Sequence, residues 1–313
     1  MLALINSVAK CKRLVLPQIT RYKASNPSLV IREDKLLVVY KGVNYDLKNS
    51  GYDGWFGNHA VAFTDGQLYM AEITDNFEYQ NCAFVEDRHI RARDLALYGL
   101  RDLRIFAWKG KTYVAGSAIT WLFDKPDQRE LTKRCTMILC EFSENGLKLV
   151  SFLPSRQQFE KNWMPWVIND DLYFIYHNDP YEILKFNGAG VEMTSIKPTM
   201  VDGLKFHSGG SCVIPFKDKF IGVVHRKYVI NDPSKTYAQS LHYTHKIVVY
   251  TGNFEVLETS VEFSFEKEGI EFCCGLAIQD ENIIFSYGIW DVEAVLLKMP
   301  MAKLIAALEL KML

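Results

Sequence analysis

The sequence lacks an excess of charge of either sign. Its 313 residues include 36 lysines and arginines and 37 acidic residues, so the formal net charge is −1. This balance provides no strong field that would hold a nucleic-acid backbone or an anionic membrane surface. We therefore expect no nucleic-acid partner, and expect other partners to be selected by local sites.

Long apolar runs are absent as well. No stretch approaches the roughly 18 consecutive apolar residues that a membrane span needs, so none is expected. The seven cysteines are irregularly spaced, with Cys273 and Cys274 adjacent, and no Asn-x-Ser/Thr glycosylation site, in which x is not proline, occurs. This usage does not suit the disulfide framework of a secreted protein. The first lysines follow the N-terminal apolar run, the reverse of a signal peptide. We expect a reducing, cytoplasmic environment.

Several motifs of common enzyme classes are missing. There is no phosphate-binding Gly-x-x-x-x-Gly-Lys-Ser/Thr loop, no Gly-x-Gly-x-x-Gly and no Gly-x-Ser-x-Gly. Cys-x-x-Cys pairs are also lacking, and His242 and His245 have no carboxylate or cysteine partner at metal-binding spacing. We therefore expect neither a cofactor nor a bound metal.

What the sequence does contain is a pattern that recurs five times. A short apolar strand leads into a turn rich in Asp, Asn, Gly or Lys, and a strand of aromatic and β-branched residues follows. This pattern predicts a β-hairpin. The five copies are residues 28–40, 103–115, 165–176, 212–224 and 276–287.

These hairpins predict an all-β fold, a five-bladed β-propeller with a short C-terminal helix. A further strand is expected after each hairpin, such as residues 135–142, 181–186, 246–250 and 294–299, and units of three or four strands suit propeller blades better than a sandwich. Residues 13–22 would supply the outer strand of the last blade, and residues 301–312 the helix. One domain, 1–313, would contain blade cores near 26–73, 101–153, 160–197, 207–263 and 269–299.

The segments that lead into the hairpins carry unusual polar residues. In a propeller the first strand of every blade lines the central channel, and these strands all run the same way, so the lead-in segments should meet at one mouth of a funnel. We call them lead-in segments throughout; they are residues 26–28, 101–104, 160–165, 207–211 and 269–272. The ends of the second strands, residues 44–45, 177–179, 225–226 and 290–291, should join them. A concave site with converging polar groups is a candidate binding site.

Asp102 and Glu271 are the candidate catalytic carboxylates, facing each other across the funnel. Asp102 would donate a proton or bind a sugar hydroxyl; alternatively it pairs with Arg101 or Arg104. Arg104 is suited to phosphate or carboxylate, and equally to carbonyls of a neighbouring blade. The candidate substrate-binding residues are Asn44, Arg104, Lys161, Asn162, Trp163, Asp179, His207, His225, Arg226, Trp290 and Asp291.

At these residues the chain resembles the five-bladed propellers of the β-mannoside phosphorylase and hydrolase family (glycoside hydrolase family 130) and related bacterial sugar-transfer proteins. The resemblance spans roughly residues 26–299. Residues 101–105, Arg-Asp-Leu-Arg-Ile, are similar to the family's Glu-Asp-Pro-Arg stretch, with the glutamate and proline replaced. The resemblance implies that Asp102 is a general acid acting through a sugar hydroxyl. It also implies that His225, in Val-His-Arg, helps to bind phosphate, with Lys161 at a basic position nearby.

We therefore expect a carbohydrate-active enzyme that cleaves or forms a glycosidic bond in the funnel. Its expected partners are a carbohydrate or sugar phosphate and inorganic phosphate. The alternative is a lectin-like propeller that binds sugar without catalysing a reaction. A third hypothesis is a propeller that binds another protein. An enzyme needs an acid in the funnel that lacks a permanent cationic partner, whereas a lectin does not.

Overall fold

The protein is described here from a computed structural model. The described residues are 3–7, 11–19, 22–44, 66–91, 99–122, 132–143, 145–153, 156–188, 191–194, 198–232, 234–235, 238–266 and 269–313. Tyr45, expected at the end of a second strand, and residues 195–197, expected in blade 3, lie outside the described residues.

The described residues form five sheets. In chain order the strands are β1 (Ala3–Leu4), β2 (Lys12–Val15), β3 (Lys23–Arg32), β4 (Lys35–Val43), β5 (Gly66–Ile73), β6 (Tyr79–Val85), β7 (Arg101–Trp108), β8 (Lys111–Leu122), β9 (Thr132–Ser143), β10 (Gly146–Phe152), β11 (Met164–Ile168), β12 (Asp171–Asn178), β13 (Tyr181–Phe186), β14 (Val191–Met193), β15 (His207–Gly209), β16 (Ile214–Phe216), β17 (Lys219–Val229), β18 (Leu241–Tyr250), β19 (Val256–Thr259), β20 (Phe263–Ser264), β21 (Glu271–Gln279), β22 (Asn282–Ile289) and β23 (Glu293–Pro300).

Each sheet is one blade of a five-bladed β-propeller. Blade 1 has the order β3-β4-β5-β6, blade 2 is β7 to β10, and blade 3 is β11 to β14. Blade 4 is built on β15-β17-β18-β20-β1, with β16 and β19 at its sides, and blade 5 is β21-β22-β23-β2. The α-helices are α1 (Arg88–Arg91) and α2 (Met301–Ala307), and 3-10 turns lie at Ile5–Ser7, Asp202–Leu204 and Ala238–Ser240. The fold prediction is confirmed.

The predicted hairpin turns form because their residues tolerate left-handed backbone. Glu33 and Asp34 both have positive φ, 50° and 62°, and Asn169 and Asp170 repeat this at 50° and 64°. Two consecutive positive-φ residues make the tight turn whose twist matches paired antiparallel strands. The turn chemistry of the sequence thus fixes where each blade's first two strands meet.

Apolar clusters between adjacent blades hold the ring together. Five large clusters occur, one at each junction: blades 1–2, 2–3, 3–4, 4–5 and 5–1. Because each blade is covered on both faces, its central strands are buried almost continuously; β21, for example, is buried from Glu271 to Ala277. Burial on both faces is the reason the hairpins read as apolar runs rather than as alternating patterns.

The N-terminal segment closes the ring by completing blade 5. Strand β2 pairs antiparallel with β23, with Arg13 opposite Leu297, and Leu16 donates its N–H to the carbonyl of Ala294 at 2.9 Å. The closure predicted from residues 13–22 is therefore present, in the shorter strand Lys12–Val15. The first residues also reach blade 4, where β1 pairs parallel with β20. Among the described helices, none has the length and apolar character needed to cross a bilayer.

Candidate functional site at the funnel mouth

Three lead-in segments share a backbone feature that turns a polar side chain toward the centre. Asn26, Asp102 and Asn162 all have positive φ, at 41°, 48° and 65°. Strand register shifts occur at the first two, between Ser25 and Ser28 and between Arg101 and Arg104. Asn and Asp tolerate this left-handed conformation better than most residues, and such bulges redirect side chains near functional sites.

Asn26 links two carboxylates from different blades. Its Nδ2 donates to Asp102 Oδ1 at 3.0 Å and to Asp291 Oδ1 at 3.0 Å. Asn26 and Asp291 are buried, whereas Asp102 is partly exposed. Gly288 makes the approach possible, because a Cβ there would lie 2.0 Å from Asn26 Oδ1. Blades 1, 2 and 5 thus meet in one carboxylate–amide–carboxylate arrangement, which we call the Asn26 clamp.

Arg104 joins the same centre to blades 3 and 4. Its side chain is fully buried; Nε donates to the carbonyl of Gly210 at 2.8 Å, and Nη2 donates to Asn162 Oδ1 at 3.3 Å and the Gly209 carbonyl at 3.4 Å. Nη1 donates to the carbonyl of Asp102. Of the two roles expected for Arg104, the geometry therefore favours holding neighbouring backbone over binding an anion.

The Glu271 carboxylate is buried and bonded to backbone N–H groups, contrary to the expectation that it is open to the funnel. Its carboxylate is fully buried, with Oε2 accepting the N–H of Phe265 at 2.7 Å and Oε1 that of Glu266 at 3.0 Å. Both oxygens are occupied by backbone donors of the preceding loop. A catalytic role for Glu271 is therefore corrected to a structural one, since a buried carboxylate held in this way fixes the loop.

Trp163, which was expected in the sugar site, lies in the core instead. Its side chain has no exposed area and packs edge-on against Phe174 and Tyr176, at ring-centroid distances of 5.8 and 5.0 Å. Its Nε1 donates to Glu160 Oε2 at 3.2 Å. The indole belongs to the core between blades 2 and 3, so it has no surface for a sugar.

The imidazole of His225 lies within the field of two cations, Arg104 and Lys161. His225 is buried, its ring stacks on Tyr243 at 5.5 Å, and Phe272 contacts its edge at 4.9 Å. Burial holds the pKa of His225 well below its ordinary value, and the positive charges of Arg104 and Lys161 add to this. His225 is therefore a neutral hydrogen-bonding group at neutral pH, while Lys161 is exposed.

His207 and Arg226 lie opposite each other on the paired strands of blade 4. His207 Nε2 and Arg226 Nη1 are 3.7 and 3.8 Å from Glu262 Oε1. Burial alone would raise the pKa of Glu262, but hydrogen bonds from Tyr228 and Thr244 lower it below its ordinary value. Burial also lowers the pKa of His207.

The remaining predicted residues lie around this centre. Asp179 accepts the N–H of Phe206 at 2.8 Å through Oδ2, so it fixes a loop. Trp290 is half-buried and packs over Gly269, where a Cβ would lie 2.9 Å from the indole. Asn44 is exposed directly after β4.

Sequence reasoning missed three residues as site candidates. Asn26 carries a detectable signal, because it lies seven residues before the first positive-φ residue of its hairpin turn, Glu33, just as Asp102 precedes Lys109 and Asn162 precedes Asn169. Glu262 and Phe206 lie in loops outside the repeat, and no local pattern distinguishes them. Glu262 meets Tyr228 and Thr244 within blade 4, and Phe206 meets Asp179 of blade 3.

Several buried polar atoms at the mouth have no hydrogen-bond partner among the described residues. They are Asn26 Oδ1, Asn178 Oδ1, His207 Nε2 and His225 Nδ1. Buried polar atoms in proteins are nearly always paired. Their gathering at one mouth is typical of groups that pair with a ligand or with water.

No family model and no curated protein matches the sequence. Solved structures do match. A β-1,2-mannobiose phosphorylase from Listeria innocua, in complex with β-1,2-mannobiose, has TM-score 0.61 and 12% identity, covering 96% of this chain and 100% of that one. The chain shares its fold.

Two structures from Leishmania mexicana match over similar lengths. A mannose phosphorylase in complex with phosphate has TM-score 0.58 and 10% identity, covering 98% of this chain and 89% of that one. A GDP-Man-dependent mannosyltransferase has TM-score 0.59 and 11% identity, covering 94% and 90%. At these identities the similarity shows the fold, and function has to be argued from the site.

Proposed function

We propose that this protein is a carbohydrate-active enzyme that cleaves or forms a glycosidic bond of a mannoside at the funnel mouth. The observation that carries the proposal is the Asn26 clamp, in which one buried amide orients Asp102 and Asp291. Proteins of the same fold include phosphorylases and a transferase acting on mannose compounds, which supports the substrate class.

Asp102 is the proposed proton-transfer residue. It is the more exposed member of the clamp, whereas Asp291 is buried and positions it through Asn26. Because both carboxylate oxygens lie 3.0 Å from one nitrogen, their separation cannot exceed twice that distance. Inverting hydrolases need about 6.5–9.5 Å between carboxyl groups, to admit a water. The two oxygens that share the amide are therefore closer than the carboxyl groups of an inverting pair, and we propose that Asp102 acts with a group outside the clamp.

The acceptor group in this proposal is inorganic phosphate or a sugar, with Lys161 and His225 beside it. Lys161 is exposed and close enough to His225 to lower the pKa of the imidazole. An ammonium group beside a neutral imidazole supplies a charge and a hydrogen-bond donor for an anion.

The proposed location is cytoplasmic, supported by seven free cysteines.

One contact pattern favours an enzyme over a lectin-like binder. Among the described residues, no lysine or arginine side chain forms a salt bridge with the Asp102 carboxylate; its described partner is the neutral amide of Asn26. A carboxylate without a permanent cationic partner is free to exchange a proton during a reaction.

The test is a turnover screen of the purified protein with β-1,2-mannobiose, other mannosides and mannose 1-phosphate, with and without inorganic phosphate. Asp102→Asn should lower turnover by at least about 100-fold, the scale of general acid–base catalysis. Asp280→Asn, on the exposed hairpin turn of blade 5, is the matched control and should be unchanged. Sugar binding without turnover in the wild type would instead establish the lectin-like alternative.

A further inference from the structure

We propose that Phe206, Lys205 and Arg226 form an outer subsite that binds the end of the substrate farthest from the Asn26 clamp, an anionic saccharide unit carrying a phosphate or carboxylate. This inference rests on the proposed function and names the chemistry of one substrate portion. The outer subsite lies where the loop between blades 3 and 4 meets blade 4.

The phenyl ring of Phe206 is presented to solvent in an unfavourable backbone conformation. The residue is 62% exposed, with φ at 64°. A bulky residue in the left-handed region is strained and persists only where its surroundings hold it. Asp179 does this by accepting the Phe206 N–H at 2.8 Å. Core packing does not account for an exposed ring held in this way, whereas aromatic faces stack on the C–H surface of sugars.

The loop that carries Phe206 is anchored at several points. Leu204 is fully buried, and Lys246 Nζ donates to the carbonyl of Gly203 at 3.0 Å. Gly203 also packs against Thr259, where a Cβ would lie 2.5 Å from Oγ1. The ring is therefore pre-positioned, and a ligand that stacks on it has little loop ordering to overcome.

Two cations flank the ring. The Lys205 ammonium and the Arg226 guanidinium each lie 5.2 Å from the centroid of Phe206, and Arg226 also lies 4.4 Å from that of Tyr228. Glu262, at 3.8 Å, balances Arg226. Lys205 is exposed and, among the described residues, has no salt bridge. The carboxylates of Asp179 and Glu262 also lie near the ring, so the attraction for a phosphate or carboxylate comes from the exposed Lys205 ammonium rather than from a net positive charge.

The outer subsite adjoins the central site through the chain itself. Phe206 directly precedes His207, whose buried Nε2 has no hydrogen-bond partner among the described residues. Two residues further, the carbonyl of Gly209 accepts from Arg104. The outer subsite is thus joined to Arg104 and the central site by the short segment from Phe206 to Gly209.

Isothermal titration calorimetry would test the subsite with four probes: mannose 1-phosphate, mannuronic acid, β-1,2-mannobiose and inorganic phosphate. Phe206→Ala should weaken all three sugars about three- to tenfold and leave inorganic phosphate unchanged. Lys205→Gln should weaken only the two anionic sugars, and a larger loss for one of them identifies phosphate or carboxylate as the preferred group. Phe206→Tyr should retain binding.

The matched control is Phe216→Ala. Phe216 is a half-buried phenyl at the hairpin of the same blade and also has a lysine, Lys217, 4.9 Å from its ring; its removal should leave all four affinities unchanged. Sugar binding that is equal in the wild type and Phe206→Ala would overturn the outer subsite while leaving the proposed function intact. A wild-type protein that neither binds nor turns over any of the sugars would overturn both.

Discussion

At the scale of single residues, Arg104 has the most consequential set of contacts at the funnel mouth. From blade 2 its guanidinium reaches the side chain of Asn162 in blade 3 and the carbonyls of Gly209 and Gly210 in blade 4. These acceptors point in different directions from one buried group. The planar guanidinium of an arginine can donate to all of these acceptors at once, whereas the compact ammonium of a lysine cannot.

Arg104→Lys should therefore destabilise the protein by about 3 kcal/mol, since buried carbonyls are left without a donor. The measurement is the free energy of unfolding from urea titration. Arg32→Lys is the control. Arg32 likewise links two blades, blade 1 to Thr112 and Gly110 of blade 2, but it does so from an exposed hairpin end. We expect it to cost less than about 1 kcal/mol. Equal losses in the two variants would contradict the role given to Arg104.

The sequence could identify polar residues at the mouth but not which way they point. Asp102, Arg104 and Asn162 were predicted there and do meet. Glu271 and Trp163 also belong to lead-in segments, but their side chains are buried inside the protein. Side-chain direction at these positions depends on β-bulges and on contacts with the neighbouring blade. Neither produces a periodic pattern that can be recognised in the sequence.

At the scale of elements, the N-terminal segment closes the ring of blades by completing blade 5. Leu16, just beyond β2, is 2% exposed in the cluster between blades 5 and 1. Leu16→Ala should lower the free energy of unfolding by about 2–5 kcal/mol, the usual cost of a cavity in a packed core. The urea midpoint measures it.

The control for this closure is Val15→Ala, in the same segment but 41% exposed. Its effect should stay within about 0.5 kcal/mol. If Leu16→Ala were as mild as this, the segment would not contribute to ring closure.

Elements were the most predictable level of this structure. The five hairpins could be read from the sequence because turn residues act locally: Asn169 and Asp170, for instance, adopt the left-handed conformation that their side chains tolerate. Boundaries were less accurate. The C-terminal helix, expected over residues 301–312, ends at Ala307, because the next residues pack into the cluster between blades 4 and 5 as irregular chain.

At the scale of the whole molecule, buried histidines make stability depend on pH. Burial lowers the pKa of His245 from 6.5 to about 3 in the folded protein. The unfolded chain therefore binds the proton more tightly, so stability rises with pH between about 3 and 6.5 and is lost as the pH falls through this window. From pH 6.5 to pH 5 the loss from His245 alone is about 2 kcal/mol.

His245→Asn should flatten this part of the stability profile, measured by urea unfolding at several pH values. A His245→Asn profile as steep as that of the wild type would show that His245 is not the titrating group.

The propeller itself followed from sequence because five similar hairpins can bury both faces only by stacking in a ring. The chemistry did not follow in the same way, since the Asn26 clamp combines residues from blades 1, 2 and 5 that lie up to 265 positions apart. No local pattern encodes that meeting.

The most direct test of the central claim is a crystal structure of Asp102→Asn soaked with the sugar that the turnover screen identifies. The account predicts a sugar ring at the funnel mouth, with a hydroxyl or the glycosidic oxygen within hydrogen-bond distance of the side chain at position 102. A sugar bound only at the outer rim of the blades, with the Asn26 clamp in contact with water alone, would contradict it.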